Sequence, residues 1–135
     1  MAAWFNTMII LDTNILIEVF KGNEEIINTV IDAGADNISL SSISAMELYY
    51  GALNKLELQR IRKYLVSFRI VHVSVAISET ATTLITRYAK SHNLQIPDAL
   101  IAATAIESRS ELLTLNTKDF KFIHGLSLRN HSSKR

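Results

Sequence analysis

Met8-Ile9-Ile10-Leu11-Asp12-Thr13-Asn14-Ile15-Leu16 is the stretch on which the fold reading turns. Four apolar residues in a row, closed by an acid, match a strand buried on both faces, as parallel strands are. Ile15, Leu16, Val19 and Phe20 then follow helical spacing. A buried strand that feeds directly into a helix is the opening of a βα unit, with Asp12 at the junction.

The same alternation repeats outward along the chain. Ile26, Ile27, Val30 and Ile31 mark a second helix, closed near Gly34. Ile38-Ser39-Leu40 predicts a short strand, and Ser41-Ser42-Ile43-Ser44 offers N-caps for the next helix. Helices are expected through Met46, Leu48, Tyr49 and Ala52, and through Leu56, Leu58, Ile61, Leu65 and Phe68. Ile70 to Val73 predicts a strand, and Ile77, Ala81, Leu84, Ile85 and Tyr88 an amphipathic helix. Pro97 fits the first turn of a helix from Asp98 to about Ser108, where its missing N–H costs nothing. That helix is apolar all round from Ala99 to Ala103 and is expected to be buried, and Leu112 to Leu115 predicts the last strand. Strands alternating with helices imply an α/β fold with a mainly parallel sheet, whose ligands bind beyond the C-terminal ends of its strands.

With 135 residues, 48% hydrophobic and 20% charged, the chain is expected to be one domain with its own core. It has no cysteine, which excludes disulfides, thiolate nucleophiles and cysteine-based zinc sites. No apolar run reaches the roughly 20 residues of a membrane span. Met1 to Thr7 lacks the basic start and long apolar stretch of a secretion signal, so a cytoplasmic protein is expected. The net charge of +1 is unevenly spread, since Arg129, Lys134 and Arg135 lie in the last seven residues. The 14 Lys and Arg less these three leave 11 against 13 acids, a slightly acidic body with a basic tail. A wholly basic nucleic-acid binder has a different balance.

Four acids fall at element ends. Asp12 closes the first strand, Glu47 lies one turn into the helix after the second, Asp98 opens the buried helix and Asp119 follows the last strand. Each also has a plain structural use. Asp12 suits an N-cap, Asp98 gains from the helix dipole, Asp119 suits a turn, and Glu47, in an apolar helix, could be a surface residue or salt-bridged. Taken together they lie where a parallel sheet gathers ligands, and carboxylates so gathered need a cation. An oxygen-only set suits Mg²⁺ or Mn²⁺ rather than zinc, and such a metal activates water against a phosphodiester.

In order along the chain, these segments resemble the PIN domains, and within them the VapC-type toxins of toxin–antitoxin pairs. Ile10 to Leu16 is similar to the family's opening strand and first metal acid. Ser41 to Leu48, with Tyr50-Gly51-Ala52, is similar to the segment carrying the second. Ile96-Pro97-Asp98-Ala99-Leu100-Ile101-Ala102-Ala103 is similar to the third and is the most specific. Leu113 to Phe120, followed by Ile123-His124-Gly125-Leu126, is similar to the fourth. The resemblance implies a three-layer α/β/α fold over residues 1–128, with 129–135 as a flexible basic tail. It implies Mg²⁺- or Mn²⁺-dependent endoribonuclease activity that leaves 5′-phosphate and 3′-hydroxyl ends. It also implies a homodimer and a small DNA-binding, VapB-like antitoxin. Asp12, Glu47 and Asp98 carry over as metal ligands. The fourth position departs from the pattern: Asn116 stands where many members have an acid, and Asp119 follows three residues later as the charged candidate.

Thr13, Asn14, Ser44, Thr114 and Asn116 are candidates for orienting the acids or a bound water. Lys55, Arg60, Arg62, Lys63 and Arg69, against Glu57 alone, form a basic stretch that either tracks an RNA backbone or is a solvated helix face. Tyr49 and Tyr50 suit base stacking, core packing or a dimer contact, and with Leu53 they make the Ile43–Leu65 helices more apolar than one small core needs. His72 is expected in a strand, His92 in a loop, His124 near a turn and His131 in the tail, none of them in a nucleophile-type turn beside a serine. No glycine-rich phosphate loop is present. Two rival readings remain, a PIN-like binding module without activity and a metal-dependent phosphatase or DNA nuclease.

Overall fold

The computed structural model describes residues 7–130. Met8 to Leu11 becomes β1 (Ile9–Leu11), and its three side chains are fully buried because both faces of the sheet are covered. β2 (Ile38–Ser41), β3 (Arg69–Val71), β4 (Glu111–Leu113) and β5 (Ser127–Leu128) join it in the order β3-β2-β1-β4-β5. All four pairings are parallel, with Ile9 opposite Ile38 on one side of β1 and Leu11 opposite Leu113 on the other.

Successive side chains of a strand point to opposite faces, and this splits the interior in two. Ile9, Leu11, Leu40 and Leu113 pack against α1 (Thr13–Phe20), α2 (Glu24–Ala33), α3 (Ser42–Tyr50) and α4 (Lys55–Leu65). Ile10 and Leu112 pack against α5 (Val75–His92) and α6 (Ile96–Glu107). The result is the expected three-layer α/β/α fold. α6 carries Pro97 in its first turn, and Ala99, Ile101, Ala102, Ala103 and Ala105 are fully buried.

The helix stops follow local chemistry. α2 ends at Gly34, whose φ of 93° is costly for any residue with a Cβ. Asn93 ends α5 in the left-handed region. Asn54 caps α4, its side chain accepting from Glu57 N–H, and the Glu57 carboxylate reaches back to accept from Leu53 N–H.

Several boundaries differ from the sequence reading. α4 stops at Leu65, leaving Phe68 in the turn beyond, and β3 lies one or two residues earlier than Ile70–Val73. β4 stops at Leu113, so Thr114 and Leu115 stand just past the strand. β5 has only two residues and left no apolar run to read. Arg129, assigned to the tail from the sequence, is held to the sheet: its backbone N–H donates to Leu112 O, and its guanidinium pairs with Glu111 at 2.9 Å. Lys134 and Arg135, the rest of the tail's charge, lie outside the described residues, as do His131 and the start of the N-terminal segment. Among the described residues no helix is long and apolar enough to cross a membrane.

Leu40, fully buried in the central sheet, gives a check on this layering. Leu40→Ala should lower unfolding stability by about 2–5 kcal/mol through lost burial and a residual cavity. Val66→Ala, at a position 82% exposed, should change it by less than about 0.5 kcal/mol. Urea denaturation at constant m measures both, and equal effects would contradict the core assignment.

Candidate active site

The β1–β4 register brings Asp12 beside Thr114. Leu11 and Leu113 are partners at the ends of their strands, so the next residue of each meets the other beyond the sheet. Asp12 N–H donates to Leu113 O at 2.9 Å. Thr114 Oγ1 donates to Asp12 Oδ2 at 2.7 Å, while Thr13 N–H donates to Oδ1 at 2.8 Å as the cap of α1. Both carboxylate oxygens are thus held, and Asp12 is only 5% exposed. The capping role and the site role coincide in one side chain.

Thr114 is itself fixed. Its oxygen accepts from Asn116 N–H at 3.0 Å and from Asn14 Nδ2 at 3.3 Å, and Asn14 Oδ1 accepts from Leu115 N–H. Thr13 Oγ1 donates to Glu47 Oε1 at 2.6 Å, and Ser44 Oγ stands 2.9 Å from the same hydroxyl. All five residues expected to orient the acids therefore lie in one hydrogen-bonded group with Asp12 and Glu47. Of the structural readings open for Glu47, the surface position holds: α3 turns it to the rim, and a hydroxyl contact rather than an ion pair holds it.

Asp98 is half-buried in the first turn of α6, and Asp119 is exposed at the end of a short 3-10 turn, Thr117–Asp119. The four acids sense one another. Burial pushes the Asp98 carboxyl up to about 6, with the charges of Asp12, Asp119 and Glu47 adding to the shift. Asp12 is also raised, chiefly by burial, against the lowering hydrogen bonds from Thr114 and Thr13. The ion pairs Lys21–Glu18 and Arg129–Glu111 do not involve these acids, none of which has an ion-pair partner among the described residues. Nor do any three Asp, Glu or His side chains among the described residues stand at ligand spacing for a metal. The cluster is a set of mutually repelling oxygens without a counter-charge.

Asn116, the alternative fourth residue, is exposed and caps the turn that carries Asp119. The loop is anchored from behind by features the sequence did not signal. Phe120 and Ile123 are buried, and His124 N–H donates to Tyr88 Oη at 3.1 Å. His92 is the last residue of α5 rather than a loop residue, and it stacks on Phe122 with ring centroids 4.3 Å apart. In the sequence Tyr88 reads only as a core position at helical spacing. His72 stands just past β3, exposed, and His124 lies in a turn as expected.

The fold and the sequence have known counterparts. The PIN domain pattern matches residues 9–124. The chain belongs to the PIN domain family. It is 31% identical over 121 residues to Ribonuclease VapC10 of Mycobacterium tuberculosis, covering 88% of this chain and 90% of that protein. Among solved structures it is similar to a toxin–antitoxin complex from Klebsiella pneumoniae, with a TM-score of 0.75 and 38% identity over 87% of this PIN domain chain and 93% of the other. It is also similar to VapBC2 of Rickettsia felis bound to a promoter DNA fragment, with a TM-score of 0.77 and 30% identity over 91% and 98%.

The raised Asp98 value fixes the sign of a pH effect. An acid whose folded pKa exceeds its ordinary 3.8 contributes stability below about pH 4, and this is lost as pH rises through about 6. In chelator, the Tm of this PIN domain should fall over that window, and Asp98→Asn should flatten the decline. Thermal scans from pH 4 to about 7 test it, and identical slopes for both proteins would remove Asp98 as the cause.

Proposed function

We propose that this PIN domain chain is a VapC-type endoribonuclease, dependent on Mg²⁺ or Mn²⁺, and the toxin of a toxin–antitoxin pair. The observation that carries this is the uncompensated group of Asp12, Glu47, Asp98 and Asp119, in a chain similar throughout to a ribonuclease. Its chemistry fits a hard divalent ion: the donors are all oxygen, and no cation among the described residues neutralises them. Asp12, Asp98 and Glu47 would hold the ion, with Asp119 as the fourth charge. A bound Mg²⁺ or Mn²⁺ would supply Lewis acidity and lower the pKa of water.

The residues divide the remaining work. Thr114 and Thr13 fix both oxygens of Asp12, so its lone pairs face one direction before any ligand arrives. Thr13 and Ser44 orient Glu47 at the rim. In hydrolysis a water oxygen bonds to phosphorus and the P–O3′ bond breaks. The departing O3′ takes a proton, leaving 5′-phosphate and 3′-hydroxyl ends, and the 2′-hydroxyl takes no part.

The partners proposed are substrate RNA, a VapB-like DNA-binding antitoxin, as in the complexes of its structural relatives, and a second copy of this chain. Met46, Tyr50, Leu53 and Leu56 are 55–94% exposed along α3 and the start of α4, an apolar surface suited to dimerisation in the cytoplasm. Light scattering at micromolar concentration should give twice 15.1 kDa, and the single-chain mass would exclude the homodimer.

Asp12→Asn and Asp98→Asn should each abolish Mn²⁺-dependent cleavage; thermal stability should hold or rise in Asp98→Asn, which relieves repulsion, whereas Asp12→Asn also replaces an oxygen that accepts a buried hydrogen bond. Wild-type turnover by Asp98→Asn would defeat the proposed site. Asp119→Ala should weaken Mn²⁺ binding in calorimetry more than Asn116→Ala, and the reverse order would move the fourth role to Asn116.

A further inference from the structure

A cleft of about 590 Å³ lies between α1, α3 and α4, within the range of roughly 300–1,000 Å³ typical of binding sites. Ile17 and Phe20 line it from α1, Leu48 from α3, and Arg60 and Tyr64 from α4. Glu47 lines it as well, so the cleft opens onto the acid cluster. Phe20 and Tyr64 meet edge to face at 5.1 Å and remain 40% and 38% exposed.

The charges in this cleft are accounted for, with one exception. Glu57 accepts from Leu53 N–H, Lys21 pairs with Glu18 at 3.5 Å, and Glu47 accepts from Thr13. Arg60 alone has no hydrogen-bond or ion-pair partner among the described residues. The basic stretch read from the sequence is thereby divided: Arg60 faces this cleft, whereas Arg62 lines a separate one with Met46, Val66 and His72.

We infer that the cleft between α1, α3 and α4 receives the RNA strand next to the cleaved bond, with Arg60 on a phosphate and the exposed Phe20–Tyr64 edge carrying a base. The inference rests on the ribonuclease reading and adds the path of the substrate. An acid cluster repels a phosphodiester, so a strand held there needs a cation close by, and Arg60 is the unengaged one. A guanidinium meets a phosphate with two parallel hydrogen bonds. An apolar protein segment in the same cleft offers that guanidinium no partner, whereas a phosphate does. An exposed aromatic ring face stacks on any base, so the cleft adds affinity without sequence preference.

The test measures RNA binding rather than cleavage. Asp98→Asn protein is titrated with a fluorescein-labelled single-stranded oligoribonucleotide over a series of NaCl concentrations. Adding Arg60→Ala should weaken binding about tenfold and reduce the log–log salt slope by about 0.7, the loss of one single-strand phosphate contact. Arg60→Lys should restore the slope, and Arg62→Ala should leave it unchanged. Thermal melts should show all variants folded, since Arg60 is an exposed helix residue. An unchanged slope for Arg60→Ala, in a protein whose wild type cleaves RNA, overturns the inference alone. Loss of antitoxin binding with RNA binding intact also overturns it and gives the cleft to the protein partner. Absence of both RNA binding and cleavage in the parent chain defeats the ribonuclease reading, and the inference with it.

Discussion

Two parallel strands end side by side, Leu11 opposite Leu113, and the site is assembled from the residues just beyond them. Asp12 and Thr114 meet because the register leaves them nowhere else to be. Their 2.7 Å hydrogen bond joins residues 102 positions apart, and Asn14, Asn116 and Leu115 are fastened to the same junction. A one-residue slip of β4 would turn Leu113 to the wrong layer and remove Thr114 from Asp12 in one step. Core packing and site geometry are therefore specified by the same pairing.

Around that junction the structure tolerates an electrostatic conflict. Asp12 is buried, Asp98 half-buried, and both are raised toward the neutral form with no cation among the described residues to relieve them. Such an arrangement costs stability in the empty protein, and hydrogen bonds to Asp12 offset only part of it. The conflict has chemical value because whatever brings positive charge to the cluster binds against a pre-existing repulsion. A divalent ion and a guanidinium both meet that description.

Much of this was legible in the residues. Met8 to Leu11 announced a doubly buried strand, and Pro97-Asp98 before an alanine-rich run announced a buried helix with an acid at its mouth. Asp12 was readable both as a cap and as a ligand, and it holds the capping position while facing the cluster. Other features left no trace. β5 consists of two residues held by backbone pairing, which no hydrophobic period can report. The exposure of Glu47 depends on how α3 rolls against α1 and α4, a tertiary choice. Arg60 and Arg62 are two residues apart in a uniformly basic stretch, and only the helix geometry sends them to different clefts. Tyr88 reads as core because its ring is core, whereas its hydroxyl holds the loop of Asp119.

The packing of α6 has a consequence for how the protein can be disabled. Ala99, Ala102, Ala103 and Ala105 are fully buried beside Ile101, so much of the helix is packed through small side chains with little slack. Any enlargement there must push the helix outward, and Asp98 travels with it. The spacing of the acids is thus guarded by residues with no chemistry of their own. Inherited loss of activity in such a protein need not touch a carboxylate: one extra methyl group on the hidden side of α6 can separate the acids from behind.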